Sequence, residues 1–422
     1  SSRSRFHAYG GATKLPVEGR DITAPGTYAQ SLLATRWDHD FAAGTGLALN
    51  YVTVNDDPES IAEDTWVESA SNHVATAELQ ARLPWSQRLA TRLFAEYGLS
   101  FYDEAHDIVT VSLGNAFRGG MRWEWGQGSY ARLEWRNTGA NYVSLASPWL
   151  IGDWQGLDGD ARIALAGNAL TLTLAGNTWR DNLNAQKNMD YVVETTGDTV
   201  TAGTTTSSYL SGQLNWRVAP EVPNVSLGYS FSRQQDDMAP DPVVDNLTGV
   251  LNLGVGVQLP LGNDQLLGNL NYTRTDFTDL AAAPIAPDIQ SSSLLASVMM
   301  LLGREWSLSA SGGLTSSTTL NAGLDPAWED QTVDYVTATG QATWSVLPGR
   351  LDLGALLEWL RGGDNLDTVD DGTLTMGFKG TYYLSAVQSL GADLSFITYD
   401  NQIVEEASYT EVVFGLRYAY SF

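Results

Sequence analysis

Hydrophobic and polar residues alternate along most of this chain of 422 residues. Near the C-terminus, Val412, Phe414 and Leu416 fall on one side, while Gly415 and Arg417 fall on the other. A period of two is typical of β-strands, because successive side chains point to opposite faces. The alternating segments run for about 9 to 15 residues, longer than the usual strand of about 5 or 6. No segment sustains helical spacing, so the pattern predicts an all-β protein built from unusually long strands.

The connections between these segments are of two alternating kinds. Nine are tight turns, such as those at 126–128 and 348–350, and ten are longer and carry acidic or polar residues. Nineteen connections require twenty strands, within a range of about 18 to 22, and an even number returns both chain ends to the side of the short turns. We assign strands, for example, to 129–142, 158–166 and 246–260.

Strand length and composition together indicate a membrane protein. A tilted strand of about 9 to 11 residues crosses a bilayer, and no apolar run reaches the roughly 18 residues of a transmembrane helix. We therefore predict a transmembrane antiparallel up-and-down β-barrel with short periplasmic turns and long extracellular loops, forming a single domain over residues 1–422. The alternative is a soluble all-β fold such as a propeller, which needs four short strands per repeat where this sequence offers two long ones. The chain starts at Ser1 without Met, so we expect a mature or trimmed form.

Several tryptophans lie within a few residues of the predicted short turns. An aromatic ring with a polar edge is favoured at the boundary between membrane and water. We predict that the membrane-interface aromatics are Trp37, Trp85, Trp125, Trp216, Trp306 and Trp344.

The last predicted strand carries an aromatic or apolar residue at every second position up to the terminus. These residues are Phe414, Leu416, Tyr418, Tyr420 and Phe422. The segment resembles the terminal strand signal of bacterial outer-membrane β-barrel proteins. The resemblance implies location in the bacterial outer membrane, contact with its lipid and lipopolysaccharide, and recognition of the terminal strand by the barrel assembly machinery. It defines a class of protein and not a function.

Charged residues concentrate on one face of the fifth to seventh predicted strands. Where Leu93 and Trp123 face lipid, Arg92 and Arg122 must face inward, because an arginine facing lipid at the midplane costs about 2–4 kcal/mol. The resulting ladder of pore-lining residues comprises Arg88, Arg92, Glu96, Arg118, Arg122, Glu124, Arg132, Glu134 and Arg136. Such a ladder can select permeating ions, stiffen a wide barrel through ion pairs, or dock a plug or partner.

One predicted loop, from Val143 to Leu157, is unusually apolar for an extracellular connection. We expect it to fold inward as a constriction, with Trp149, Asp153 and Trp154 as its candidate residues. A surface loop that contacts lipid or a partner is the alternative.

Composition excludes several chemistries. A net charge of −26 argues against nucleic-acid binding, which needs a basic surface, and the absence of cysteine excludes thiolate metal sites and disulfides. The acidic loops are expected to be a solvated anionic surface, with loop-bound Ca²⁺ or bridging to lipopolysaccharide phosphates as the alternative. We expect no other cofactor and no enzyme activity, although a hydrolase at the rim would use His73 or His106.

The sequence therefore predicts an outer-membrane pore or conduit. The first interpretation is a passive porin-like passage for small polar or charged solutes through an aqueous lumen. The second is a sheath or translocation scaffold whose lumen or rim holds a partner chain, such as an electron carrier, an exported polymer or a plug domain. Solute flux favours the first, and a partner protein found in the lumen favours the second.

Overall fold

A computed structural model gives the structure of this chain. It describes residues 3–16, 27–42, 44–61, 69–84, 89–104, 111–126, 128–147, 152–181, 183, 189–192, 199–202, 204–219, 221–237, 244–281, 284, 286–320, 328–385 and 387–420. No helix among these residues is long and apolar enough to cross a membrane.

The described residues contain twenty long strands and two short ones. In order they are β1 (Arg3–Lys14), β2 (Ala29–Ala42), β3 (Thr45–Asp57), β4 (Ala70–Pro84), β5 (Leu89–Glu104), β6 (Ser112–Trp125), β7 (Ser129–Thr138), β8 (Trp154–Leu165), β9 (Leu170–Asp181), β10 (Met189–Val192), β11 (Thr199–Ala202), β12 (Thr205–Trp216), β13 (Asn224–Asp236), β14 (Asp245–Leu261), β15 (Asp264–Asp279), β16 (Asp288–Leu302), β17 (Trp306–Leu320), β18 (Gln331–Leu347), β19 (Leu351–Asp364), β20 (Asp370–Ser385), β21 (Gln388–Asn401) and β22 (Tyr409–Tyr420).

The twenty long strands form one antiparallel sheet in up-and-down order, as the sequence predicts. Each pairs with its neighbour along the chain, and β9 pairs with β12 across the short β10–β11 hairpin. The all-β fold class, with twenty strands joined by alternating tight turns and longer connections, is thereby confirmed.

Several strand boundaries differ from the prediction, and two of them flank the connection between β7 and β8. Strand β7 ends at Thr138 rather than 142, and β8 begins at Trp154 rather than 158. The cause is that the chain after Thr138 leaves the sheet and hydrogen-bonds to side chains of β4 and β5. The β10–β11 hairpin was also not predicted, since its four-residue strands are too short to give a periodic signal.

Internal contacts divide the chain into two compact units. The first comprises residues 1–163, 173–210 and 233–244, and the second comprises 164–172, 211–232 and 245–422. In both units the large apolar side chains of the described strands are mostly exposed, as at Leu79 and Leu357, which are each 50% exposed. A soluble sheet would bury this face in a core, so the exposure suits strands that meet lipid. The prediction of a single domain stays a prediction.

Candidate functional site

The predicted charged ladder lies on one face of strands β4–β8, within the first unit. Alternate residues of a strand share a face, and the opposite face carries exposed apolar side chains such as Leu93, Tyr97 and Leu133. We call the charged side the polar face and the other the apolar face. The polar face carries Arg92, Glu96, Arg118, Arg122, Glu124, Arg132, Glu134 and Arg136. The ninth predicted residue, Arg88, lies outside the described residues.

The strand register sets four arginines of the polar face side by side. Arg82 pairs with Arg92 across β4 and β5, Arg92 with Arg122 across β5 and β6, and Arg122 with Arg132 across β6 and β7. We call these four residues the arginine row. Like charges directly opposite each other destabilise a sheet, so a wall built only for ion pairing would favour a different arrangement.

One carboxylate forms ion pairs with the two middle residues of the arginine row, Arg92 and Arg122. Glu124 lies 3.2 Å from the Arg92 guanidinium and 3.0 Å from that of Arg122. Among the described residues, no carboxylate lies within 4.0 Å of Arg82. The row is therefore most positive at the end formed by Arg82 and Arg92.

The other end of the row is neutralised by β8. Asp158 and Asp160 lie 2.5 and 2.6 Å from the Arg132 guanidinium. The neighbouring arginine, Arg122, also contacts β7, where its guanidinium lies 4.0 Å from the centre of the Tyr130 ring. The predicted strand 158–166 contains both aspartates, but the sequence prediction left them out of the ladder because it limited the ladder to the fifth to seventh strands. Their alternation with Leu157, which puts both aspartates on the same face as Arg162, is the signal that could have found them.

A second charged row, of mixed sign, lies four residues further along each strand. It consists of Glu78, Glu96, Arg118 and Arg136. Here each acid has a basic partner, with Arg118 2.8 Å from Glu96 and Arg36 of β2 3.1 Å from Glu78.

Glu134 connects the two rows. Its side chain is 3% exposed, lies 3.7 Å from the Arg132 guanidinium and also bonds to Arg136. A buried carboxylate is stable only when it is paired and hydrogen-bonded, and Arg132 and Arg136 supply both interactions here.

The connection between β7 and β8 folds back over the polar face. Asn72 and Ser100, 1% and 0% exposed, point towards it. Asn72 Nδ2 donates to the Val143 carbonyl at 3.1 Å, and the Leu145 amide donates to Asn72 Oδ1 at 3.0 Å. Ser100 Oγ donates to the same carbonyl and accepts from the Val143 amide at 3.3 Å. Four hydrogen bonds thus attach residues 139–147, which we call the inner segment.

Glycines on the polar face make room for the inner segment. A Cβ on Gly114 would lie 2.3 Å from the Asn141 carbonyl and from backbone atoms of Tyr142, and a Cβ on Gly98 would lie 3.1 Å from the Tyr142 hydroxyl. Tyr142 is buried between the segment and the sheet. Burial raises the pKa of Tyr142, and the negative charge of Glu96 raises it further.

Two cavities open on the polar face. The first, of about 370 Å³, is lined by the whole arginine row together with Glu96, Arg118 and Glu134. The second, of about 520 Å³, is lined by Arg118, Arg136, Glu96 and the rings of Tyr142 and Trp154. Because Glu96 and Arg118 line both, the two cavities adjoin.

The structure places part of the predicted constriction loop on the polar face. Asp153 is 1% exposed and has a positive φ of 58°. The Trp154 ring stacks on Trp179 with centroids 4.0 Å apart and an interplanar angle of 16°. Trp149 lies outside the described residues. That this segment narrows a passage stays a prediction.

Five of the six predicted interface tryptophans are described. Trp306 and Trp344 pair directly across β17 and β18, and their rings stack at 5.0 Å and 6°. Trp37 stacks on His39 at 5.6 Å. Trp125 and Trp216 end strands β6 and β12, immediately before short turns, whereas Trp85 lies outside the described residues.

The described residues of the predicted terminal signal share one exposed face of β22. Phe414 is 64%, Leu416 70%, Tyr418 58% and Tyr420 48% exposed. Phe422 lies outside the described residues.

The histidines and acidic loops give no catalytic or metal site that can be described. His73 Nδ1 lies 2.8 Å from the Tyr51 hydroxyl, and His106 lies outside the described residues. Asp364 accepts from the amides of Thr368 and Val369 at 2.7 and 3.0 Å, so it orders its own loop. In the described part of the chain, no three His, Cys, Asp or Glu side chains gather to hold a metal ion. The expectations for Ca²⁺ and for enzyme activity stay predictions.

No protein-family model matches this sequence, and no curated protein matches it. Solved structures give distant likenesses. The copper transporter OprC is 12% identical, over 100% of this chain and 74% of its own, with a TM-score of 0.45. OccK5 (OpdH) of Pseudomonas aeruginosa is 13% identical over 93% and 98%, with a TM-score of 0.33. The siderophore receptor PirA of the same organism is 10% identical over 100% and 73%, with a TM-score of 0.39.

The features of the chain itself define its class. Long antiparallel strands in up-and-down order, tight turns between alternate pairs, an exposed apolar face and a charged opposite face are the build of outer-membrane β-barrels. This chain has the fold of the bacterial outer-membrane β-barrel proteins.

Proposed function

We propose that this protein is a passive pore for small polar or charged solutes. The observation that carries the proposal is the charged ladder, which opens onto two adjoining cavities on the polar face while the opposite face is apolar. Ionised groups lose hydration energy in a low-dielectric environment. A face with this density of charge therefore fits the wall of an aqueous passage and not a dry core.

Both signs of charge line the wall, so the passage accepts solutes of either sign. The two charged rows place guanidinium and carboxylate groups next to each other, as between Arg118 and Glu96 at 2.8 Å. Such a field orients dipolar solutes and discriminates among ions. The unneutralised end of the arginine row adds a modest preference for anions.

Ion preference in a planar bilayer tests the proposal. The purified chain is inserted under a tenfold gradient of KCl, and the reversal potential is read from single openings. We expect steady openings and a reversal potential displaced towards that of chloride. The double variant Arg118→Gln/Arg136→Gln removes two charges from the wall and should displace the potential towards that of potassium.

A matched control separates the effect of removing charge from the wall from the effect of changing the total charge of the protein. Arg274 pairs with Asp276 at 3.0 Å on β15 of the second unit, on the face that carries Leu270, and Arg274→Gln should leave the reversal potential unchanged. If the double variant behaves like this control, the wall does not select ions. Correctly folded, inserted protein that never opens would contradict the passive pore and would favour a lumen held by a partner chain.

A further inference from the structure

We propose that the arginine row is a binding site for small polyanions that carry two or more carboxylate or phosphate groups. The inference deepens the proposed pore and rests on it, because the row then acts as a capture point for one class of solute. The site lies in the cavity of about 370 Å³ that all four arginines line.

The first reason to expect a polyanion site is the pairing register of strands β4 to β7. Three successive cross-strand pairs on the polar face, from Arg82 through Arg92 and Arg122 to Arg132, join arginine to arginine. Opposed like charges weaken strand pairing, so the row lowers the stability of the sheet in the absence of a ligand. A bound anion with several negative groups removes this repulsion.

The second reason to expect a polyanion site is that the positive charges of the arginine row are unevenly neutralised by carboxylates. Among the described residues, Glu124 is the one carboxylate within 4.0 Å of the guanidiniums of Arg92 and Arg122. Arg92 is 55% exposed, and no carboxylate of the described residues lies within 4.0 Å of Arg82. Three positive charges against one leave an excess that matches a dianion.

The acids that line the same cavity are already engaged. Glu78 bonds to Arg36 at 3.1 Å and Glu96 to Arg118 at 2.8 Å, and Glu134 is buried between two arginines. Glu78 and Glu96 are held by arginines outside the row, and Glu134 is held by Arg132 at the neutralised end of the row and by Arg136. These acids therefore line the edge of the site, and they do not compete with a ligand for the guanidiniums of Arg82 and Arg92.

The chemistry of the guanidinium group selects the ligand. Its planar fork of N–H donors matches carboxylate and phosphate oxygens in bidentate pairs. Directly opposed residues of neighbouring strands place their Cβ atoms about 4.5–5.5 Å apart. Adjacent forks at this spacing can hold two anionic groups of one small molecule, which a monoanion cannot supply.

The β2–β3 turn packs against the side chain of Arg82. Gly44 has a positive φ of 80°, and a Cβ there would lie 2.7 Å from Arg82 Cβ and 3.1 Å from its Cδ. The turn thus packs closely on the stem of this side chain and leaves its charged end towards the cavity. The least neutralised member of the row is held in place by its stem.

Calorimetric titration of the full chain in detergent tests the site without requiring any current. The probes are pyrophosphate, citrate and acetate at low ionic strength, where charge interactions are weakly screened. We expect pyrophosphate or citrate to bind at least tenfold more tightly than acetate, and the tighter of the two identifies phosphate or carboxylate as the preferred group. Arg82→Gln/Arg92→Gln should weaken this binding at least tenfold, and Arg274→Gln should leave it unchanged.

The conservative variant Arg92→Lys guards against a folding defect. It keeps the charge but loses the bidentate fork, so an intermediate affinity is expected. Native mobility on unheated gels verifies that each variant is folded. Equal affinity for acetate and the polyanions, or unchanged affinity in both variants, overturns the site.

Failure of the site and failure of the pore are distinguishable. Polyanion binding by a chain that never conducts supports the site and contradicts the pore. The opposite outcome is a steady chloride current that pyrophosphate and citrate do not reduce, in a chain that binds neither of them tightly. This outcome supports the pore and overturns the site.

Discussion

Asn72→Ala is predicted to release the inner segment from the polar face. The Asn72 side chain is 1% exposed and makes two hydrogen bonds to the segment, to the Val143 carbonyl at 3.1 Å and from the Leu145 amide at 3.0 Å. A typical intramolecular hydrogen bond contributes about 1 kcal/mol net. Losing two shifts the attachment equilibrium by about 2 kcal/mol, which is about 30-fold.

Hydrogen exchange followed by mass spectrometry measures this release directly. The Val143 and Leu145 amides are both held by side chains of the wall, so peptides covering 139–147 should exchange about 30-fold faster in the variant. Peptides from the paired parts of β4 and β5 should keep their protection.

A matched variant removes the side-chain amide of an asparagine in the second unit. Asn252 accepts one hydrogen bond, from Thr273 at 3.0 Å, in the second unit. Asn252→Ala should leave exchange of the inner segment unchanged. Unchanged exchange in Asn72→Ala as well would refute the attachment, and faster exchange throughout β4 would indicate a general loss of stability instead.

Three further changes have distinct expected outcomes. Gly114→Ala should also accelerate exchange of the inner segment, because its Cβ would lie 2.3 Å from backbone atoms of that segment; protection equal to the parent chain would contradict the close approach. Glu134→Gln leaves two arginines without their shared carboxylate and should lower the free energy of unfolding by about 2 kcal/mol, measured by urea denaturation in lipid vesicles. Trp344→Ala loses the ring stack with Trp306 at 5.0 Å and should lower the free energy of unfolding by about 1 kcal/mol beyond the loss of buried area, in the same assay. An unaltered midpoint would show that the stack does not stabilise the sheet.

The strands were predictable because their signal is local. Alternation along a strand reports its two faces directly, so the predicted strand 246–260 and the observed Asp245–Leu261 agree within one residue at each end. Tight turns are equally local, since a few residues such as those at 348–350 specify them. Both features are read from neighbouring positions, and no distant contact is needed.

The charged face was predictable and its register was not. Alternation with Leu93 and Trp123 is sufficient to place Arg92 and Arg122 on the polar face. Which charges oppose each other depends on how far each strand extends beyond its turn, and on bulges that shift the pairing. The arginine row, with Arg82 as its least neutralised member, is therefore visible only in the paired sheet.

The attachment of the inner segment has no sequence signal of this kind. Asn72 and Ser100 bind backbone atoms of Val143, more than forty positions away, and backbone groups carry no residue-specific information. The small residues Gly98 and Gly114 are compatible with strand bends as well as with a covering segment. Only the structure connects them to Tyr142.

Solute entry into liposomes tests the central claim most directly. Vesicles that contain the purified chain are diluted into isotonic solutions of uncharged sugars of increasing size, and their swelling is followed by light scattering. A passive aqueous passage predicts swelling that slows steadily as the sugar grows, with faster swelling when Asn72→Ala releases the inner segment. Folded, inserted protein whose vesicles swell no faster than empty ones, for every sugar, would contradict it.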